Sequence, residues 1–482
     1  MQLHSISGAQ QTVQPAPQLM QTYIGVVAYD VLREKIMSDL LRRARALPLL
    51  LLLAACAAFQ PGAQPQQPIV FVHGNGDTAA LWQTTEWRFE SNGYDPKMLF
   101  AVDFPNPLAR SVDAKPQPLR SSTAEQMAEL AREVAKVREL TGRDKVVLIG
   151  QSRGGYAIRN YLKNGGGAAY VSAAVLCGTP NHGVFDWEQT RGSEFNGKGA
   201  FLTQLNAGPD EVVAGVRFMT IRSDTNDKYA QPDGRFLGKP GTPTGVGYDG
   251  PALKGAENVV IPKLDHRETG FSAPAFAQMY RFITGHAPAR TDIVPEAEVV
   301  LNGKVNDMHG SVPTNLPVAA ARVEIYQVSP TTGAREGAAV HAKTTGGDGL
   351  WGPFTAKPDA YYEFVVQVPG HAITHIYRSP FPRSSNIVDL RPADFAKGDA
   401  SAGSVLMISR PRGYFGVGRD TFLLDGKVPP GINAGVPGTS TGKLLLPAGP
   451  LRPVPARFNG ETITMQNWPA KDNNLEIAEF TY

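Results

Sequence analysis

The sequence predicts two architectures in one chain: a mostly parallel β-sheet with helices on both faces over residues 68–288, then an all-β region, sandwich or barrel, over residues 289–482. Three observations carry this reading. Short apolar runs that end in Gly, such as Pro68–Gly74 and Lys145–Gly150, have the form of strands buried on both faces. Stretches with helical periodicity separate them, the α/β pattern. After Pro295 helical stripes stop and period-two alternation with frequent turns begins.

The elements follow in order. The run Pro68–Gly74 holds the first strand. Ser122-Thr123-Ala124-Glu125 is a capping box, and Met127, Leu130, Val134, Val137 and Leu140 continue it at helical spacing until Gly142. The strand Lys145–Gly150 leads into a helix over Arg153–Lys163, stopped by Gly165-Gly166-Gly167. Further strands fall at Val171–Cys177, Val216–Ile221 and Val259–Pro262. A last helix over Ala275–Ile283 sets Phe276, Met279, Tyr280 and Ile283 on one face. Beyond Pro295, Val323 and Ile325 alternate with polar neighbours, as do Tyr362, Phe364, Val366 and Val368. The small, polar stretch Asp394–Gly403 divides a β-sandwich over 289–395 from residues 396–482, a second β unit or a continuation.

Composition narrows the function classes. Apolar residues are 42% of 482, enough for a large core, so wholesale disorder is excluded. The net charge of +3 and the lack of a basic run beyond the N-terminal region argue against a nucleic-acid partner. Two cysteines, Cys56 and Cys177, cannot build a disulfide framework or a Cys-based zinc site.

Residues 1–55 read as an N-terminal extension with a signal peptide. Leu47–Ala55 is too short for the roughly 20 residues of a membrane span. Arg42, Arg43 and Arg45 precede it and small residues follow, the order of a secretory signal. Met37 stands close before those arginines and reads as the start. Leu53-Ala54-Ala55-Cys56 has the form of a bacterial lipobox, which implies membrane attachment through a lipidated Cys56; ordinary cleavage at Ala55-Cys56-Ala57 is the alternative. Residues 56–67 read as a linker. The expected location is outside the cytoplasm, as an outer-membrane or periplasmic lipoprotein or a secreted protein.

The chemistry concentrates in the α/β part. Gly150-Gln151-Ser152-Arg153-Gly154 fits G-x-S-x-G, entered by a buried strand and left by a helix, the setting of a nucleophile elbow. A serine hydroxyl needs a base to take its proton. His266 follows a strand and precedes the last helix, on the same sheet edge as Ser152. The acid that orients it should lie between them in the chain. After the strand Val216–Ile221, both Asp224 and Asp227 qualify, and Asp227 is preferred for its place on the loop. Asp265 reads as a solvated or loop-bracing neighbour. Asp224–Asp227 fails the EF-hand pattern because Lys228 occupies the next ligand position, so no metal is expected. The oxyanion donors are read as the backbone amides of Asn75, in His73-Gly74-Asn75-Gly76, and of Arg153.

With HGNG, GQSRGG, LCGTPNHG and DHRE in this order, residues 68–288 resemble the α/β-hydrolase family, and within it secreted bacterial lipases and esterases. The whole architecture is similar to lipases with a C-terminal β domain. Gly303-Lys304-Val305 and the turn Gly347-Asp348-Gly349 resemble transthyretin-like or carboxypeptidase-regulatory sandwiches. The resemblance implies a Ser152–Asp227–His266 triad, an ester or lipid substrate met at an interface, and no cofactor. It departs from the family at Arg153, which is expected to place a charge near the ester. Residues Gly183–Gly215, with Phe185, Trp187, Phe195, Phe201 and Leu205, read equally as a lid or as core packing. Triacylglycerol-type esters are the expected substrates. An aliphatic polyester such as polyhydroxyalkanoate, or a binding role on an inactive hydrolase domain, are the alternatives.

The N-terminal reading has a direct test. Mass spectrometry of the mature protein should find a lipidated Cys56 at its terminus; a free Ala57 or Ala58 there removes the lipoprotein reading.

Overall fold

Six strands form one parallel sheet: β1 (Ile69–Val72), β2 (Leu99–Val102), β3 (Val146–Gln151), β4 (Val171–Cys177), β5 (Arg217–Arg222) and β6 (Glu257–Val260), in the order β6-β5-β4-β3-β1-β2. The computed structural model describes residues 66–310, 312–432 and 434–482. The signal segment, Met37, Cys56 and the linker up to residue 65 lie outside the described residues. Its last two residues are attached to the fold: the Gln66 amide donates to Gly93 O (2.9 Å), and the Tyr94 hydroxyl donates to Gln67 O (2.5 Å).

The all-apolar strands are explained by two cores, one on each face. Alternate side chains point to opposite faces of a strand. Ile69, Phe71, Ile149 and Val175 pack with Phe89 of α1 (Gln83–Ser91) and Phe276 and Met279 of the last helix, α4 (Ala273–Thr284). Val70, Val72, Leu148 and Leu176 pack with Leu130 and Val134 of α2 (Thr123–Thr141) and Ile158 of α3 (Arg153–Asn164). The capping box at α2 is complete, and Gly142 closes the helix in the left-handed conformation (φ 63°). Leu140 departs from the expected stripe and points to solvent, 66% exposed.

Two elements of this layer escape the sequence reading, β2 and α1. β2 is a four-residue edge strand, half-buried, with no Gly to mark its end. α1 carries only Trp87 and Phe89 as apolar residues, too few for a stripe. Both are decided by contacts: the Trp87 indole donates to Ser384 O (2.8 Å), and its ring is buried in the core of the β region.

The C-terminal region is mostly antiparallel. Its main sheet has seven strands: β7 (Arg322–Val328), β8 (His341–Thr344), β9 (Tyr361–Gln367), β10 (Ile373–Arg378), β11 (Ser404–Ser409), β12 (Thr441–Leu446) and β13 (Asn474–Glu479), in the order β8-β7-β9-β10-β13-β11-β12. β13 pairs in parallel with both β10 and β11. Residues beyond 395 thus continue this sheet and also build a three-stranded sheet from Phe422–Leu424, Pro453–Phe458 and Glu461–Gln466. The α/β and β parts share one compact unit. Asn315 is one joint between them: its backbone N–H donates to Pro105 O (2.9 Å), and its side-chain amide donates to Asp77 O (2.9 Å) and Phe104 O (3.0 Å).

α3 lies close on β1, and Gly154 makes that possible. A Cβ there would collide with the carbonyl oxygens of Val72 and His73, which are strand-end backbone and cannot move aside. Gly154→Ala should therefore cost about 1–3 kcal/mol or more, read as a lower urea midpoint. A midpoint equal to wild type would contradict this packing.

Candidate active site

The turn between β3 and α3 presents Ser152. Its backbone sits at φ 53° and ψ −119°, a region that costs a non-glycine residue roughly 1–3 kcal/mol. Two features hold it there. The Ser152 N–H donates to Cys177 O at the end of β4 (2.8 Å). Gly150 leaves room for the bend, since a Cβ there would stand 2.6 Å from Ile158 Cδ1 and 2.8 Å from the Gly154 carbonyl carbon.

His266 comes from the turn after β6 and is almost fully buried. Its carbonyl accepts from the Gln151 amide (3.0 Å) and the Thr269 hydroxyl (2.7 Å), so the residue before the serine and the helix after the histidine both fix the turn. Its Nδ1 lies 2.8 Å from Asp227 Oδ2. Its Nε2 is buried without a protein partner, and the ring lines the same cavity as Ser152. The Tyr229 ring packs against the imidazole at 4.7 Å, near-perpendicular.

Of the two candidate acids, the fold brings Asp227 to the histidine. Asp227 Oδ1 accepts from Tyr229 N (2.8 Å), which orients the carboxylate from its other side. Asp224 turns to its own loop, accepting from Ser223 Oγ and Asn226 N, each at 3.2 Å. Among the described residues, no group of three or more His, Cys, Asp or Glu is arranged to hold a metal ion. Asp265 is fully buried, not solvated. It accepts from the backbone amides of Arg267 and Glu268 (2.8 and 2.9 Å) and pairs with Arg410 (2.8 Å).

Asn75 borders the cavity beside Ser152. Its side chain is engaged, accepting from Ala109 N (2.7 Å), and Gly76 at φ 75° donates to Pro107 O (3.2 Å), which bends the loop. Among the described residues, neither the Asn75 N–H nor the Arg153 N–H donates to a protein acceptor. His73, before this loop, is buried, and burial lowers its pKa. Its Nε2 accepts from Phe104 N (3.1 Å), a structural role. His182 bonds Glu211 (3.0 Å), away from Ser152.

The expectation of a charge near the ester fails at Arg153. Its guanidinium has no exposure and forms a two-point pair with Glu194 (2.6 and 2.7 Å). The remaining donors go to Pro107 O, Ser121 Oγ and Ser121 O. The charge is spent inside, where a buried ion is tolerated only when fully paired.

The cavity over Ser152 measures about 220 Å³. Phe185 and Phe195 of the Gly183–Gly215 insertion line it. The same insertion also packs: Phe185 stacks on Trp187 (4.9 Å), and Phe195 and Phe201 close on Tyr156 of α3 (5.9 and 5.6 Å). A second cavity of about 600 Å³ adjoins the first across Pro180, Tyr229 and His266. Sequence reasoning missed Asp77, Arg267 and Tyr414 at the first cavity. Asp77 and Arg267 form an ion pair there (2.5 Å), and Tyr414 arrives from the far end of the chain with no local motif. Lys228, next to the acid, is held down to about 8 by burial first and by nearby Arg267 second.

Comparison with known proteins gives two family-model matches. Residues 66–184 match the family model Lipase (class 2), and residues 297–395 match Lipase C-terminal domain. The first match includes Asn75, Ser152 and Arg153 and ends before Asp227 and His266. Solved structures similar to it include Aspergillus fumigatus lipase B, at 13% identity over 47% of this chain and 54% of that one, TM-score 0.33. Bacillus licheniformis lipase BlEst2 in mature form is 18% identical over 46% of this chain and 95% of that one, TM-score 0.34. Paleococcus ferrophilus monoacylglycerol lipase is 12% identical over 46% and 96%, TM-score 0.32.

The choice of acid is open to a paired test. Asp227→Ala should lower kcat by about 10⁴-fold, the scale seen when a triad acid is removed. Asp224→Ala should stay near wild type. The reverse ranking would move the acid to Asp224.

Proposed function

We propose that this protein is an exported serine hydrolase that cleaves carboxylic esters of the triacylglycerol type through an acyl-enzyme. The observation that carries the reading is the 2.8 Å contact between His266 Nδ1 and Asp227 Oδ2, with the free Nε2 and Ser152 on one cavity. With Asp227 accepting the Nδ1 proton, Nε2 is the basic nitrogen. It takes the Ser152 proton as Oγ attacks the ester carbonyl. The resulting oxyanion is met by the Asn75 and Arg153 amides, which have no competing protein acceptor. His266 returns the proton to the leaving alcohol. Water then gives a proton to Nε2 and attacks the acyl-enzyme, and Ser152 recovers the proton on release of the acid. Every group needed is in the chain, and no step calls for a metal or cofactor.

Export rests on the arginine-flanked apolar segment and Cys56 in the sequence. The space directly over Ser152 favours short acyl groups, with the adjoining cavity of about 600 Å³ left to the alcohol part of the ester. At about 220 Å³ the space over Ser152 lies below the roughly 300–1,000 Å³ of sites for drug-sized ligands. Tributyrin should therefore be hydrolysed faster than triolein by about tenfold or more, since each methylene without a place costs about 1–3 kcal/mol. Ser152→Ala should abolish both activities. Equal rates on the two lipids would refute the short-chain preference, full activity of Ser152→Ala would refute the mechanism, and turnover confined to polyester films would replace the lipid substrate.

A further inference from the structure

We propose that Arg410, directly after β11 in the C-terminal β region, is a positioning residue for His266; the proposal rests on His266 being the base of Ser152.

His266 stands within Asp265-His266-Arg267-Glu268, so carboxylates flank it along the chain. Both are turned inward. Asp265 Oδ1 caps the turn by accepting from Arg267 N and Glu268 N, and Glu268 Oε2 returns to accept from Asp265 N (2.6 Å). Two buried carboxylates this close repel each other and have lost their water. A cation placed between them offsets that repulsion.

Arg410 supplies that cation. Its Nη1 donates to Asp265 Oδ2 (2.8 Å) and its Nη2 to Glu268 Oε1 (2.6 Å), so one planar fork spans both carboxylates. Arg419 takes the remaining Glu268 oxygen (2.7 Å) and stands 3.6 Å from Asp265 Oδ2, a longer contact than the fork of Arg410. The fork is itself held, with Nη1 also donating to Tyr414 O (2.9 Å) and the guanidinium 4.5 Å over the Phe458 ring. Tyr414 N adds a second donor to Asp265 Oδ2 (2.7 Å). The loop of the triad acid leans on the same segment. Lys228, next to Asp227, donates to Gly438 O (2.9 Å) and sits 3.8 Å over the Tyr414 ring. Acid and base are thus registered against each other by one stretch of the β region. It lies beyond the matched lipase C-terminal domain, which ends at residue 395.

The test uses the full chain with Arg410→Met and Arg410→Lys, read by ester kinetics and by the rate of fluorophosphonate labelling at Ser152. A displacement of about 1 Å at a catalytic group can cost on the order of 10²-fold. Arg410→Met should therefore lose about 10–100-fold in kcat and in labelling rate while KM stays within about twofold. Arg410→Lys, which keeps the charge but loses the fork, should fall between. Folding is followed by circular dichroism and melting temperature. If Arg410→Met does not fold, Asp265→Asn, which preserves size and the turn cap, is read the same way and should show the same split. A folded Arg410→Met or Asp265→Asn with wild-type kcat and labelling overturns the positioning role alone. A wild-type protein that does not label at Ser152 overturns the parent reading, and this one with it.

Discussion

The strained turn at Ser152 is the constraint on which the rest of the molecule depends. A serine at φ 53° is unfavourable by itself and must be held by its surroundings. β4 holds it through the Cys177 carbonyl, and α3 holds it by packing through Gly154 onto the end of β1. Those contacts require a parallel sheet with β3 at its interior, flanked by β1 and β4. The order of the sheet then brings the loops after β5 and β6 to the same edge, and with them Asp227 and His266. The site is a consequence of where that edge lies.

Buried charge is the second theme. Arg153, Glu194, Asp265 and Arg410 are all nearly or fully excluded from solvent. Isolated, each would be strongly unfavourable. Each is instead paired, Arg153 with Glu194 and Arg410 with Asp265 and Glu268, and both arginines also donate to backbone carbonyls. Such pairs add little net stability compared with apolar residues of equal size. What they provide is geometry, because a fork and a carboxylate meet in few orientations. The pairs lie directly after Ser152 and directly beside His266.

The β region belongs to the same argument. It is joined to the α/β part by Asn315 and by Trp87, and it supplies Tyr414 to the wall of the serine cavity. β13 inserts between β10 and β11, so the last strand of the chain closes the sheet that carries the Arg410 segment. The region thus contributes both joints to the α/β part and one residue of the cavity wall.

Much of this was legible in the sequence, and the reason is locality. A strand buried on both faces must be apolar along its length, so β1, β3 and β4 announce themselves. A capping box is four residues long, and a sharp strand-to-helix turn shows its small residues in order around Ser152. Position on the sheet edge singled out His266, which the structure places on the cavity of Ser152. Asp224 and Asp227, by contrast, are equivalent in composition and nearly so in place. Only the folded loop, with Tyr229 N on one oxygen and His266 on the other, separates them. α1 and β2 lack a pattern because their burial comes from partners far away in the chain. Arg153 reads as a free charge until Glu194 is seen beside it, and Arg410 and Tyr414 carry no motif at all. The sequence by itself determined the succession of the patterned strands and helices and the sharp turn that presents Ser152, since those depend on neighbours within a few residues. The tertiary structure decided which of the two carboxylates meets His266, how the buried charges are neutralised and which wall the β region adds, because each depends on groups that meet only when distant segments pack.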